Sequence, residues 1–494
     1  MSEFSVSALP EVFVSDTSIS KPVFEAVERG QIRKLGSRLY TRNLQEDPER
    51  LVRRNWYYLI AGYYPDALIT DRTALENQPA ADGSVFLISE KKRDIELPGL
   101  TFRPRKGPGP LDGDKPFIGG ARLASIPRAY LENMRPSRAR AGRIARTVSP
   151  DEIEIRLDAL IRRQGEEAVN RLRDEARVIA PQLGLEKEFE AFNALVGALL
   201  GTREANVTSA LGKARASGQP VDPDRIHLFE KLFGTLRETF PADRPAPQRS
   251  AEASANLAFF EAYFSNFIEG TEFSVKEAED IVFHGVIPPE RPADAHDVLG
   301  TFRIVSDLHE MSRIPKNVDE FIALLRRRHA SIMEARPDKN PGSFKSRANQ
   351  AGNTVFVAPD LVNGTLEKGF ELLEALAEPF QRAVFMTILV SEVHPFVDGN
   401  GRMARIMMNA ELVAGKQERI IIPTAYRTDY LGALKAFSHN AITTPLIRML
   451  DYAQRYTHAI DWRTLKGAHA MLEQTQAFSE GEDAKLKVDW QKWS

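Results

Sequence analysis

Nine consecutive residues, His394-Pro-Phe-Val-Asp-Gly-Asn-Gly-Arg402, combine a proton acceptor, a hard oxygen ligand and an anion cradle. Residues 383–393 before them and 403–415 after them have helical period and length, so the stretch reads as a loop between two helices. Pro395 disfavours helical backbone angles at His394, so the first helix ends there and the imidazole stands at the loop entrance. An imidazole, with an ordinary pKa of about 6.5, can take a proton from an incoming hydroxyl near neutral pH. Asp398 is an oxygen ligand suited to Mg2+, or Mn2+, bridging phosphate oxygens. Gly399, Asn400 and Gly401 open the second helix, whose free N–H groups and dipole favour a phosphate held close to a glycine backbone. Arg402 and Arg405 stand three apart in its first turn, so they share a face while Met403, Ile406 and Met407 pack inward. Two guanidinium groups beside that helix start suit a polyphosphate. Asn-Gly is also a hairpin signal, but helical flanks disfavour a hairpin here.

The elements that must position these residues come from a chain of 494 residues, long enough for about three domains. With 66 basic and 68 acidic residues there is no chain-wide basic footprint for nucleic acid. Absence of cysteine removes disulfides, thiolate zinc sites and cysteine nucleophiles, and fits a reducing compartment. The start lacks the basic region of a signal peptide and no apolar run reaches membrane-spanning length, so the expectation is a soluble cytoplasmic protein with no membrane partner.

The expected organisation is multidomain and mainly α. A disordered tail covers 1–20 and a small α+β domain 21–134, with a strand-like run at Ser84 to Ser89. A basic linker follows over 135–148, carrying Arg135, Arg138, Arg140, Arg143 and Arg146 without an acid. A helical connector covers 149–245, opened by Ser149 or Asp151 as cap, and the Pro-rich run Pro241 to Ser250 marks the next break. A mainly helical domain covers 250–460, and 461–494 is a polar tail with Trp490 and Trp493.

At His394, Phe396, Asp398, Gly399, Asn400, Gly401, Arg402 and Arg405 the chain resembles the Fic family, matching every fixed position of His-x-Phe-x-Asp/Glu-Gly-Asn-Gly-Arg-x-x-Arg. The resemblance implies an all-α Fic core with a β-hairpin flap. It also implies transfer of AMP from ATP to a Tyr, Thr or Ser hydroxyl of a target protein, with release of pyrophosphate. Carried over by position, His394 is the general base, Phe396 a core anchor, Asp398 the metal ligand, Gly399 to Gly401 the anion nest, and Arg402 and Arg405 phosphate clamps.

The polar, Gly-punctuated segment Asn340 to Asp360, with Gly342, Phe344, Gly352, Val355 and Phe356, resembles the flap that lines up the target by backbone pairing. Ile420 to Leu434 resembles the helix behind the nucleotide base, so Tyr426 and Tyr430 are base-pocket candidates, with core packing the alternative. Ser265, Glu269 and Gly270 match the inhibitory signature Ser/Thr-x-x-x-Glu-Gly/Asn ahead of the core. It implies that Glu269 pairs with Arg405 and displaces the γ-phosphate.

Gly30 to Asn43 and Ala121 to Met134 resemble the winged-helix and following region of AbiEi-type antitoxins, which bind DNA. Little chain precedes the wing-like strand to supply a recognition helix, so target recognition or self-association is the expected role rather than DNA binding. Alternatives to the adenylyltransferase are a DNA-binding, antitoxin-like regulator with a non-catalytic Fic domain, another nucleotide donor, and phosphoryl transfer of the Doc kind. Self-modification and removal of AMP from the target also stay open.

Overall fold

The computed structural model describes residues 5–139, 142–203, 205–481 and 484–491. The chain divides into two compact units, Met1–Gly218 and Gln219–Ser494.

The first unit opens with β1 (Val12–Val14), α1 (Ser20–Glu28), β2 (Arg33–Gly36) and β3 (Leu39–Thr41), an antiparallel sheet in the order β1-β3-β2. Where a tail was expected over 1–20, Val12 and Phe13 are buried in β1, which pairs with β3. A helix, α1, does precede the hairpin of β2 and β3, against the expectation that too little chain stands there to form one. It carries Lys21, Glu25, Glu28 and a Phe24 that is 64% exposed.

Next come α2 (Pro48–Arg54), α3 (Trp56–Tyr63), β4 (Leu68–Ile69), α4 (Asp71–Glu76), β5 (Ser84–Ile88), β6 (Ile95–Leu97), β7 (Leu100–Arg105), β8 (Lys115–Pro116) and β9 (Arg122–Leu123). These strands form one mixed sheet, β6-β7-β5-β4-β9-β8, with β5 buried along its whole length. That burial fits its unbroken apolar run, since a strand covered on both faces does not alternate. Helices α5 (Ile126–Asn133), α6 (Pro150–Gln164), α7 (Glu166–Leu183), α8 (Glu186–Leu199) and α9 (Ala210–Ala216) complete the unit. Ser149 caps α6 in a reciprocal capping box with Glu152.

The basic segment between α5 and α6 is tied back by acids within the same unit. Arg146 pairs with Asp71 at 2.7 Å, Arg143 with Glu96 at 2.9 Å, and Arg135 with Glu188 at 3.6 Å. Arg140 and Trp493 lie outside the described residues.

The second unit begins with α10 (Pro223–Arg237), α11 (Ala251–Ile268), α12 (Val275–His284), α13 (Pro292–Ser306), α14 (Leu308–Met311) and α15 (Val318–Ile332). A hairpin of β10 (Gln350–Ala351) and β11 (Thr354–Val355) follows, then α16 (Val362–Glu374), α17 (Pro379–Val393), α18 (Asn400–Ala414), α19 (Arg427–Asn440), α20 (Thr444–Ala459) and α21 (Leu465–Gln474). Helix α17 is apolar round most of its circumference because it runs through the core against α18. Every residue of α11 from Asn256 to Ile268 is buried as well. Among the described residues no helix is long and apolar enough to cross a membrane.

Three further expected boundaries differ from the observed ones. The connector over 149–245 is divided at Gly218, with α6 to α9 in the first unit and α10 in the second, where Phe229 meets Phe385 at 6.0 Å between ring centroids. The Pro-rich run 241–250 is not a break between domains. Ala246 N donates to the Lys416 carbonyl, Glu418 N to the Arg244 carbonyl, and Arg249 pairs with buried Glu418. The stretch read as a tail over 461–494 contains α21, which buries Ala468 and Leu472 beside Trp462, while Arg455 lies over the Trp490 ring at 3.9 Å.

Candidate active site

Helix α17 ends at Val393, and His394 caps it with left-handed backbone angles, φ 50° and ψ 58°. Its N–H still closes the last turn onto Val390, while Pro395 offers no N–H to continue the helix. The His394 Nδ1 lies 3.3 Å from the Ser391 carbonyl, so Nδ1–H is the donor and Nε2 keeps its lone pair. Burial pulls this imidazole down to about 4, outweighing the Ser391 contact, so the ring is neutral at neutral pH.

The loop between α17 and α18 is closed by its own side chains. Asn400, 1% exposed, accepts from the Phe396 N–H at 2.8 Å and donates to the Phe396 carbonyl at 2.9 Å. Its side chain thus clasps the loop rather than facing a ligand, although it was expected in the anion nest. Phe396 is fully buried, stacked on His329 with ring centroids 3.6 Å apart. Gly399 starts α18 at φ 74°, where a Cβ would come within 2.9 Å of the Met333 sulfur. Asp398 Oδ1 accepts the Gly399 N–H at 2.7 Å, leaving its second carboxylate oxygen for a cation.

The two arginines of α18 part ways, contrary to the shared face read from their spacing. Arg405 donates from Nε to Ser265 Oγ at 3.0 Å and from Nη2 to the Ser265 carbonyl at 2.8 Å and Glu269 Oε1 at 2.7 Å. Arg402 turns away to Asp297 at 3.1 Å and, with Asn266 and Met333 also beside it, is 3% exposed. Three residues advance a helix by about 300°, which leaves the two positions about 60° apart, and Asp297 on α13 draws the Arg402 side chain away from the cleft.

Glu269 sits at the end of α11, followed by Gly270 at φ 88°. A Cβ at Gly401 would collide with the Glu269 carboxylate. A carboxylate of the same chain therefore rests on the N-terminus of α18, where an anion was expected. Beside it opens a cleft of about 210 Å3 lined by Glu269, His394, Gly401, Arg405, Tyr430 and Leu434 among others. Of the two tyrosines proposed for it, Tyr430 lines the cleft, whereas Tyr426 packs on Tyr452 at 5.7 Å.

The hairpin residues divide similarly. Gly352 turns between β10 and β11, and Val355 is 62% exposed. The other three lie underneath: Gly342 N donates to His329 Nδ1, Phe344 packs on Phe396, and Phe356 stacks on His394 with centroids 3.7 Å apart and planes 5° from parallel. Gln350 and Ala351 are both exposed on a sheet of two strands.

Sequence reasoning missed His329, Lys345 and Asn349. His329 accepts from Gly342 at Nδ1 and so donates from Nε2 to the Asp398 carbonyl at 3.0 Å, a tautomer fixed by both partners. Burial pulls it down to about 4. An isolated histidine on an amphipathic helix gives no signal of this kind.

Residues 319–412 match the Fic/DOC family. The matched stretch runs from α15 into α18 and so contains the hairpin and the whole loop, but not Glu269. The chain is similar to the protein adenylyltransferase Fic of Nematostella vectensis, 27% identical over 256 residues that make up 50% of this chain and 56% of that one. It is also similar to protein adenylyltransferase fic-1 of Caenorhabditis elegans, 25% identical over 207 residues, 41% of this chain and 40% of that one. The chain thus spans about half the length of the curated relatives it matches. Among solved structures, Fic-1 from C. elegans is similar at a TM-score of 0.37 and 18% identity, covering 66% of this chain and 99% of that chain.

Proposed function

We propose that the second unit is an adenylyltransferase that transfers AMP from ATP to a hydroxyl side chain of a target protein and is held in check by Glu269. The observation that carries this reading is the Glu269 carboxylate lying on Gly401 and Arg405 within one cleft with the neutral, Nε2-free imidazole of His394.

With ATP in the cleft, its phosphates lie where Glu269 now lies, on the N–H groups of α18 and the guanidinium of Arg405. The hydroxyl oxygen of the target attacks the α-phosphorus, and the bond from that phosphorus to the oxygen bridging to the β-phosphate breaks. Pyrophosphate leaves, and the hydroxyl proton passes to His394 Nε2. Asp398 would hold a divalent cation that neutralises phosphate charge. The exposed β10 edge offers backbone groups to an extended target segment. Glu269 opposes all of this by electrostatic repulsion of the triphosphate and by occupying Arg405.

For the first unit, the exposed Phe24 of α1, a helix whose Lys21 stands against Glu25 and Glu28 and gives no basic face, favours contact with protein, the target or a second copy, over DNA.

The test is labelling with α- and γ-labelled ATP in wild type, Glu269→Gly and His394→Ala, with Mg2+ and a cell lysate, counting self-modification as transfer. Label from the α position alone, strongest in Glu269→Gly and absent in His394→Ala, is expected. Label from the γ position would replace AMP transfer by phosphoryl transfer, and label only from UTP, GTP or CTP would replace the donor.

A further inference from the structure

His394 is a non-glycine residue in the left-handed region, a strained conformation that persists only where its surroundings impose it. The surroundings that do so come from one short segment, 345–356, which leads into and out of the hairpin.

The end of α17 exposes carbonyls that the helix leaves without donors, and Pro395 removes one N–H that could have turned back to them. Lys345 is 4% exposed, and its Nζ donates to the Val393 carbonyl at 3.3 Å and to Asn349 Oδ1 at 2.6 Å. Its backbone N–H donates to the Pro395 carbonyl at 2.8 Å. Asn349, oriented by that lysine, donates from Nδ2 to the Phe396 carbonyl at 2.9 Å, with the His394 carbonyl at 3.5 Å. Four successive carbonyls, from Val393 to Phe396, are thereby met from one side. Seven residues on, Phe356 lies flat against the His394 ring. A lysine buried this deeply at a helix C-terminus is favoured by the negative end of the dipole. Burial, with the Arg225 guanidinium nearby, nevertheless brings its ammonium down to about 7. A buried apolar residue there would leave the Val393 carbonyl and the Asn349 Oδ1 without the lysine donor.

We propose that Lys345 and Asn349 are positioning residues for His394, gripping the backbone on either side of it so that the imidazole stands against Phe356 with Nε2 directed at the incoming hydroxyl. The proposal rests on the reading of His394 as general base. It ties the hairpin that would dock the target to the placement of the base, because the same segment carries both.

The experiment uses the full chain carrying Glu269→Gly, with Lys345→Met, Lys345→Arg and Asn349→Leu added singly. Two readouts are taken: steady-state transfer with ATP varied, and 1H–13C spectra of protein labelled at the histidine rings, with His394 assigned by its loss in His394→Ala. In the parent the His394 ring resonance stands upfield, shielded by the Phe356 ring. In Lys345→Met it moves to the ordinary histidine position, and Lys345→Arg brings it back. A misplaced base should lower kcat by about ten- to hundredfold while KM for ATP stays within about twofold. Should Lys345→Met not fold, half-buried Asn349→Leu carries the same pair of readouts. An unmoved His394 resonance together with unchanged kcat in a folded variant would overturn the proposal. If the parent transfers no AMP, the functional reading fails, and the resonance alone still decides whether these two residues place the imidazole.

Discussion

Both units hide carboxylates against arginines, and the two arrangements differ in what surrounds the acid. In the first unit Asp71 is fully buried and takes two hydrogen bonds from Arg105, one from Arg146 and one from Thr70. Glu132 beside it accepts from Arg128, and burial raises its carboxyl above the ordinary range. In the second unit Glu269 has a side chain 30% exposed, one hydrogen bond to Arg405, and an open cleft alongside. An acid whose oxygens are all occupied inside a packed wall holds structure together. An acid with one contact on a helix N-terminus can be exchanged for another anion. The pairing alone does not distinguish them; the remaining oxygens and the space beside them do.

The largest effect should come from breaking the closed cluster. Asp71→Ala leaves Arg105 and Arg146 without their shared acid and should cost about 3–5 kcal/mol in urea unfolding. Glu269→Gly removes one hydrogen bond while Ser265 still holds Arg405, and should cost at most about 1.5–3 kcal/mol in the same assay. Equal losses would erase the contrast.

The next effect is on transfer. Removing one charge-assisted hydrogen bond of about 1.5–3 kcal/mol from Arg405 should raise AMP transfer about ten- to hundredfold in Glu269→Gly. Asp71→Asn should raise it not at all.

A finer test uses the two arginines of α18. In the Glu269→Gly background Arg405→Ala should raise KM for ATP about tenfold or more, because its guanidinium faces the cleft. Arg402→Ala should instead cost about 2–3 kcal/mol of stability by leaving Asp297 short of a donor, with KM for ATP nearly unchanged. An equal KM effect in both would mean that Arg402 swings toward the cleft when ATP binds.

The smallest effects are those of pH. With its imidazole at about 4, His394 accepts a proton at any pH above that, so transfer by Glu269→Gly should stay level from pH 8 to about 5 and halve near 4. Halving near pH 6.5 would mean an exposed imidazole. His329, also brought to about 4 from an ordinary 6.5, is neutral when folded, so the unfolded chain binds more protons between those values and stability falls as pH drops through that window. The stability gap between wild type and His329→Phe should therefore narrow from pH 6.5 to 4.

Much of the site was legible because its parts are contiguous. A loop that must hold base, metal ligand and anion nest together has its spacing written in one stretch, from His394 to Arg405. Directions were less legible. Whether Arg402 faces the cleft depends on Asp297, more than a hundred residues away, and whether Phe356 meets a target or His394 depends on how the hairpin folds back. In the fold, long apolar helices such as α17 were plain, whereas β1 is three residues long and too short for any period. Proline misled at 241–250, where missing N–H groups suggested a break between domains although the neighbouring N–H and carbonyl groups pair with 416–418.

The central claim is that Glu269 occupies the place of a phosphate on Arg405 and Gly401. The most direct measurement is the time course of α-label incorporation from ATP by wild type, Glu269→Gly and Glu269→Gly with Arg405→Ala, all confirmed folded. The account predicts a rate at least about tenfold above wild type in Glu269→Gly and its loss when Arg405 is also removed. Equal rates in wild type and Glu269→Gly, or a gain that survives removal of Arg405, would contradict it.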